Sequence, residues 1–204
     1  MKSRTVTLPA MRLAVICFLV SALIPSASLA QDVPVFAISQ AESSIKFNVQ
    51  ASVPINGTFD TWNATLTFTS TDVTTGVLDV EIQAATVDTG SGFKDSKLKG
   101  SDFFDVVNNP LITFKSTKIV QSGPTTFEVD GNFTIRGVTR SESLTLSVSG
   151  VGTGSGRING TLYFDRKDYG MNSSIPFIRI ANRVEVSVDL KGTRISGPPL
   201  VLKQ

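Results

Sequence analysis

The sequence contains no histidine, and its one cysteine, Cys17, lies within the first thirty residues. The Ser-His-Asp and Cys-His nucleophile arrangements are therefore closed to it, as are the usual zinc and copper sites. Any catalysis would fall to carboxylates, Lys or Tyr. Long apolar runs are also missing. The longest, Leu13 to Ile24, is twelve residues, too short to span a bilayer.

That short run has the makings of a leader. Lys2, Arg4 and Arg12 precede it, Pro25 follows, and Ser28-Leu29-Ala30 is a small-x-small cleavage signal, so cleavage is expected after Ala30. Cys17 would leave with it, which removes disulfide and thiol chemistry from the remaining chain. Taking the leader's three cations from the 19 Lys/Arg leaves 16 against 17 Asp/Glu, so the net charge moves from +2 to −1. No concentrated basic surface remains for a nucleic acid. The expected organisation is an export leader at 1–30 and one domain at 31–204, with 174 of the 204 residues left to bury a core without disulfides.

Alternation with period two dominates that domain. Ile45, Phe47, Val49 and Ala51 alternate with polar residues, as do Trp62, Ala64, Leu66 and Phe68, and Leu78, Val80, Ile82 and Ala84. The pattern returns at Phe127 to Ile135, Leu144 to Val148, Ile158 to Phe164 and Val184 to Leu190. Each run reads as a strand with one apolar and one wet face. With Ile112 to Ile119 there are eight main strands, divided at Gly76, Gly123-Pro124, Gly137 and Gly150 to Gly156. Sustained helical periodicity is missing. The fold class is all-β and antiparallel.

Val87 to Asn109 breaks the pattern. Asp88-Thr89-Gly90-Ser91-Gly92 reads as a turn, and Ser101-Asp102 is placed to cap a short helix through Val107, ended by Asn109-Pro110. A connection this long within a β domain tends to cover something. Phe103 and Phe104 lie at its centre, placed either to plug one end of an interior or to fill a core corner.

Eight alternating strands make a sandwich or a barrel. The inward set favours the barrel: Phe47, Trp62, Phe68, Phe114, Phe127, Phe133 and Phe164 are interleaved with Ala64, Gly131 and Gly160. Large rings beside glycines suit a curved sheet lining a space, and an eight-stranded barrel is wide enough for one small ligand.

Several fragments, in order, resemble the YceI-like family of exported, lipocalin-like barrels. They are Ile45-Lys46-Phe47, Gly57-Thr58-Phe59 with Trp62, Asp88-Thr89-Gly90, Lys94-Asp95 with Leu98, and Ser101 to Val106. Asn109-Pro110 leading to Thr113-Phe114-Lys115-Ser116, Gly131 to Thr139, and Asp165-Arg166-Lys167-Asp168-Tyr169-Gly170-Met171 complete the series. The resemblance implies an antiparallel eight-stranded lipocalin-like barrel whose one long connection carries a short helix. It implies a periplasmic binder of polyisoprenoid, isoprenoid quinone or a similar long-chain lipid; no cofactor, metal or catalytic residue is expected. Leu98, Phe103, Phe104 and Tyr169 then join the seven inward rings as cavity lining. The family often carries Arg-Asp-x-His-Leu where this chain has Lys94-Asp95-Ser96-Lys97-Leu98. Lys94 and Lys97 are accordingly the candidate head-group contacts, and Lys94, Lys97 and Lys99 together would meet a pyrophosphate or an anionic membrane surface.

Two other classes fit the same residues. One is a ligand-free structural or interaction domain with a packed core. The other is a carboxylate enzyme drawing on Asp88, Asp95, Asp102 and Asp105. Turn and capping roles account for Asp88 and Asp102, and aromatic sugar platforms are missing from that loop. The five Asn-x-Ser/Thr sites at Asn56, Asn63, Asn132, Asn159 and Asn172 follow from a Thr- and Asn-rich β surface and carry no function.

Overall fold

Alternating inward aromatics and outward threonines build one continuous antiparallel sheet. The computed structural model describes residues 32–173 and 179–203, and the expected leader lies outside them. Ten strands follow in chain order: β1 (Val35–Ala51), β2 (Ile55–Phe59), β3 (Trp62–Thr67), β4 (Val77–Gln83), β5 (Val87–Asp88), β6 (Leu111–Gln121), β7 (Thr126–Ile135), β8 (Val138–Ser149), β9 (Ser155–Asp165) and β10 (Ile180–Ser196). One helix, α1 (Gly92–Lys99), follows β5. Their lateral order is β3-β4-β6-β7-β8-β9-β10-β1-β2-β5. The sheet curls until its two ends meet at the Asp60-Thr61 corner between β2 and β3. Gln40 on β1 closes the remaining gap by donating its side-chain amide to the Trp62 carbonyl.

The expected all-β barrel is therefore present as a curled sheet, with ten strands in place of eight. β2 escaped the alternation count because it is five residues long with Gly57 at its centre. β5 is a two-residue edge. β1 also starts ten residues earlier than the pattern at Ile45. Its first half pairs with β10 but shifts register between Ser39 and Ser44. Ser43 repairs that break, accepting from the Lys191 amide at 2.8 Å and donating to the Ser39 carbonyl at 2.5 Å. A bulged segment half-exposed on both faces shows no period.

Glycines sit under rings on the concave face. Gly57 is directly opposite Phe47, and Gly160 opposite Leu146. A Cβ on Gly131 would lie 2.4 Å from the Phe114 ring, and one on Gly57 2.5 Å from the Phe47 ring. Each glycine thus makes room for a neighbour's side chain on a tightly curved sheet.

The helix lies one step earlier than expected. It spans Gly92–Lys99, and Ser101-Asp102 caps nothing. Asp95 anchors it, accepting from the Thr89 amide at 2.8 Å and the Thr89 hydroxyl at 2.7 Å. Those bonds hold the Asp95 carboxyl below its usual range. Beyond α1 the chain folds tightly back, with the Phe104 amide donating to the Leu98 carbonyl at 2.9 Å and Val106 to Lys99 at 3.1 Å. Asp105 takes a left-handed φ of 52° and accepts from Asn108 and Asn109. Asn109-Pro110 then leads into β6 as expected, with Pro110 accepting from the Ala84 amide at 2.9 Å.

Candidate functional site

Three cavities lie in a row through the barrel. The largest, about 140 Å³, is at the end formed by the β8–β9 hairpin and the chain after β10. Phe36, Phe68, Leu78, Phe127 and Leu146 line it, and Leu200 and Leu202 from the C-terminal segment cover it. A middle cavity of about 40 Å³ shares Leu78 with the first. The third, about 70 Å³, shares Ile82, Phe133 and Val186 with the middle one and is lined at the α1 end by Leu98, Phe103 and Phe104.

The sequence-predicted lining is spread along this row. Phe68 and Phe127 face the largest cavity, Phe114 the middle one, and Phe47, Leu98, Phe103, Phe104 and Phe164 the third. Phe133 borders two of the three. Phe104 packs with its centroid 5.9 Å from Phe59 and 6.4 Å from Phe47. It is at once core and end plug, so the two roles proposed for the Phe103-Phe104 pair are one.

Trp62 and Tyr169 are placed differently. Both are buried, yet neither borders any of the three cavities. Trp62 is taken up where the two sheet ends meet. Tyr169 stands behind the cavity wall, 5.5 Å from Phe133 and 5.2 Å from Phe164, and donates its hydroxyl to Glu142 at 2.7 Å. Burial, helped by that carboxylate, holds its phenol well above the usual range.

The two lysines are also away from the interior. Lys94 donates to the Pro54 carbonyl at 3.3 Å, and Lys97 is exposed on the outer face of α1. Neither borders a cavity. One cation does lie close to the interior. Arg166 is 6% exposed, and its guanidinium donates to the carbonyls of Ala181 at 3.1 Å, Ser173 at 3.1 Å and Met171. Those bonds tie the 166–173 segment to the start of β10, a structural role for the Asp165–Met171 stretch. Among the described residues, no group of three or more His, Cys, Asp or Glu side chains is placed to hold a metal ion.

Sequence reasoning missed the C-terminal cover. Pro198-Pro199-Leu200-Val201-Leu202 follows β10 and crosses the barrel end. Val201 donates to the Thr71 carbonyl at 2.8 Å, and the Gln121 side chain brackets Lys203 with bonds of 2.7 and 2.8 Å. The alternating Leu200 and Leu202 were the available signal.

Residues 36–192 match the model of the YceI-like domain. The chain belongs to this family. The crystal structure of BcnA from Burkholderia cenocepacia superposes with a TM-score of 0.69 at 22% identity, covering 76% of this chain and 99% of that one. A polyisoprenoid binding domain from Saccharophagus degradans, implicated in plant cell wall breakdown, superposes at 0.63 with 14% identity, over 79% and 99% of the two chains. In sequence, a UPF0312 protein of Pseudomonas savastanoi pv. phaseolicola is 30% identical over 127 residues, which is 60% of this chain and 66% of that protein. A UPF0312 protein of Vibrio parahaemolyticus is 26% identical over 161 residues, 76% and 83% of the two. The YceI-like match ends at residue 192, so the Leu200–Leu202 cover lies beyond it.

Proposed function

We propose that this YceI-like domain binds a long apolar lipid, such as a polyisoprenoid, an isoprenoid quinone or a similar amphiphile, with its tail in the barrel. We place it in the periplasm, after removal of residues 1–30, as a carrier, store or sensor. Its role is binding and not catalysis. The observation that carries this is the row of apolar cavities running from the Leu200–Leu202 cover to Phe103 and Phe104.

Burying one five-carbon isoprene unit from water is favourable by about 3–4 kcal/mol, at ~0.8 kcal/mol per methylene. A tail drawn from a bilayer gains almost none of this, so the interior sets chain-length fit and the mouth sets exchange. The 140 Å³ cavity is close to the ~150 Å³ apolar void that stays dry and takes a benzene-sized guest. A longer tail has to part the shared walls at Leu78, Ile82, Phe133 and Val186.

Native mass spectrometry of protein purified from its own cells tests the reading. A co-purifying lipid of defined mass is expected. A bare chain that also takes up no quinone, polyprenyl phosphate or fatty amide would refute it.

A second reading draws on the small size of the middle and third cavities, about 40 and 70 Å³. In it, the domain is a ligand-free structural or interaction module with a packed core. A saturable rise in fluorescence of a naphthalene dye at one site favours the cavity, and a flat titration favours packing.

A further inference from the structure

The two ends of the barrel differ in chemistry. The α1 end is dense in charge: Lys94, Asp95, Lys97, Lys99, Asp102 and Asp105 lie on one connection, with Arg136, Lys167 and Asp168 nearby on other turns. The opposite rim is built from 32–35, 68–76, 121–125, 150–154 and 194–203. It carries only Asp32, Asp72, Arg194 and Lys203, two of each sign.

That rim exposes aliphatic side chains. Ile195 is 64% exposed, Val201 62% and Val151 47%, with Val35 and Val120 beside them. Hydrogen bonds place them on one circuit. Val35 pairs opposite Ser196, Arg194 donates to the Gly154 carbonyl at 2.7 Å, and Val201 donates to Thr71 at 2.8 Å. The 140 Å³ cavity reaches the surface within this circuit, where exposed Val151, Gly152 and Pro199 are part of its wall. On this side the Phe36 and Phe68 rings, 5.8 Å apart, stand in its wall.

The geometry points to this rim as the face that the protein lays on a lipid bilayer, with the apolar ligand passing there between membrane and cavity. The inference rests on the lipid-binding reading above. A bilayer is the occupant that suits a neutral, aliphatic ring around an apolar mouth, since seating it strips water from few charges. Docking through the α1 end, where Phe93 is 66% and Val107 89% exposed, would bury many charges or depend on anionic lipid. Because the rim's charges cancel, its attachment is insensitive to salt.

A polarity-sensitive fluorophore on Ile195→Cys, with Phe93→Cys as the comparison, tests this in the chain without residues 1–30, which has no cysteine of its own. With phosphatidylcholine vesicles, the label at 195 shifts to the blue and brightens severalfold, and the shift survives roughly 0.5 M salt, where screening acts over only a few ångströms. A shift at 93 and not at 195, a shift abolished by salt, or no shift at either site overturns the inference. In parallel, Ile195→Asp with Val35→Asp slows transfer of a fluorescent long-chain amphiphile from vesicles at least tenfold. Affinity for the same probe presented in water is unchanged, because neither side chain borders a cavity or belongs to the Leu200–Leu202 cover. Equal transfer rates also overturn it. Wild-type protein that takes up no probe even from water would instead sink the lipid-binding reading, so the two failures are distinguishable.

Discussion

Phe133 borders both the 40 and the 70 Å³ cavities, so its ring is the main partition in the inner half of the barrel. Phe133→Ala removes that partition. The ring also packs 5.2 Å from Phe164 and 5.5 Å from Tyr169, and each such pair contributes about 0.5–1.5 kcal/mol. The ligand-free variant should be less stable by about 3–5 kcal/mol, the usual range for a buried Phe→Ala change. If about 100 Å³ stays unfilled, the void accounts for about 2.4 kcal/mol of that at ~24 cal/mol per Å³. A tail long enough to occupy it recovers this amount, which is about fiftyfold in affinity. A prenol series of increasing length, titrated by calorimetry, reads the effect. Affinity should climb about fourfold per methylene, at ~0.8 kcal/mol each, and level off at a longer chain in the variant than in the wild type. Thermal melts should show the stability gap closing when the longest prenol is added. A folded variant whose affinities level off at the same length as wild type would refute the reasoning, because the tail would not then run past residue 133.

Three further outcomes follow from other parts of the molecule. Gly131→Ala should cost about 1–3 kcal/mol in denaturant unfolding, because its Cβ would meet the Phe114 ring at 2.4 Å and the Lys115 carbonyl at 2.8 Å; adding Phe114→Leu should recover only part, the carbonyl being backbone. Tyr169 has a raised folded pKa, so its contribution is full below the unfolded value near 10 and declines as pH rises above it; in Tyr169→Phe, stability against pH should lack that alkaline decline. The folded pKa of Asp95 is lowered, so its contribution is present above the unfolded value near 3.8 and is lost as pH falls further; hydrogen exchange at the Thr89 amide should quicken below that pH in wild type, and should be fast and pH-independent beyond intrinsic exchange in Asp95→Asn.

The concave face was legible because burial there is one-sided. Phe127, Val129, Gly131, Phe133 and Ile135 alternate without a break, and β7 lies mid-sheet with a partner on each side. What escaped had weaker constraints. The start of β1 is half-exposed and bulged, so no period marks it. Thr89, six residues away, anchors α1 through Asp95, whereas Ser101-Asp102 offered a better local cap signature and forms none. Lys94 and Lys97 were chosen for their charge at the position of the family's Arg-Asp-x-His pattern; in the fold Lys94 is bonded to the Pro54 carbonyl, Lys97 is exposed, and neither borders a cavity. Trp62 was counted with the lining from its inward place in the alternation and Tyr169 from the family resemblance, and neither signal tells a cavity wall from the layer behind it. The Leu200–Leu202 cover is short, follows two prolines, and gains meaning only from the barrel end it crosses.

The pairing of β1 with β10 has a consequence for how the molecule is made. Val35 to Ala51 find most of their partners between Ile180 and Ser196, so the first strand waits for the last to leave the ribosome. Contacts of such long sequence separation slow folding. A nascent chain that stops short of Ile180 lacks the strand that joins β9 to β1, so the sheet is still in two separate pieces.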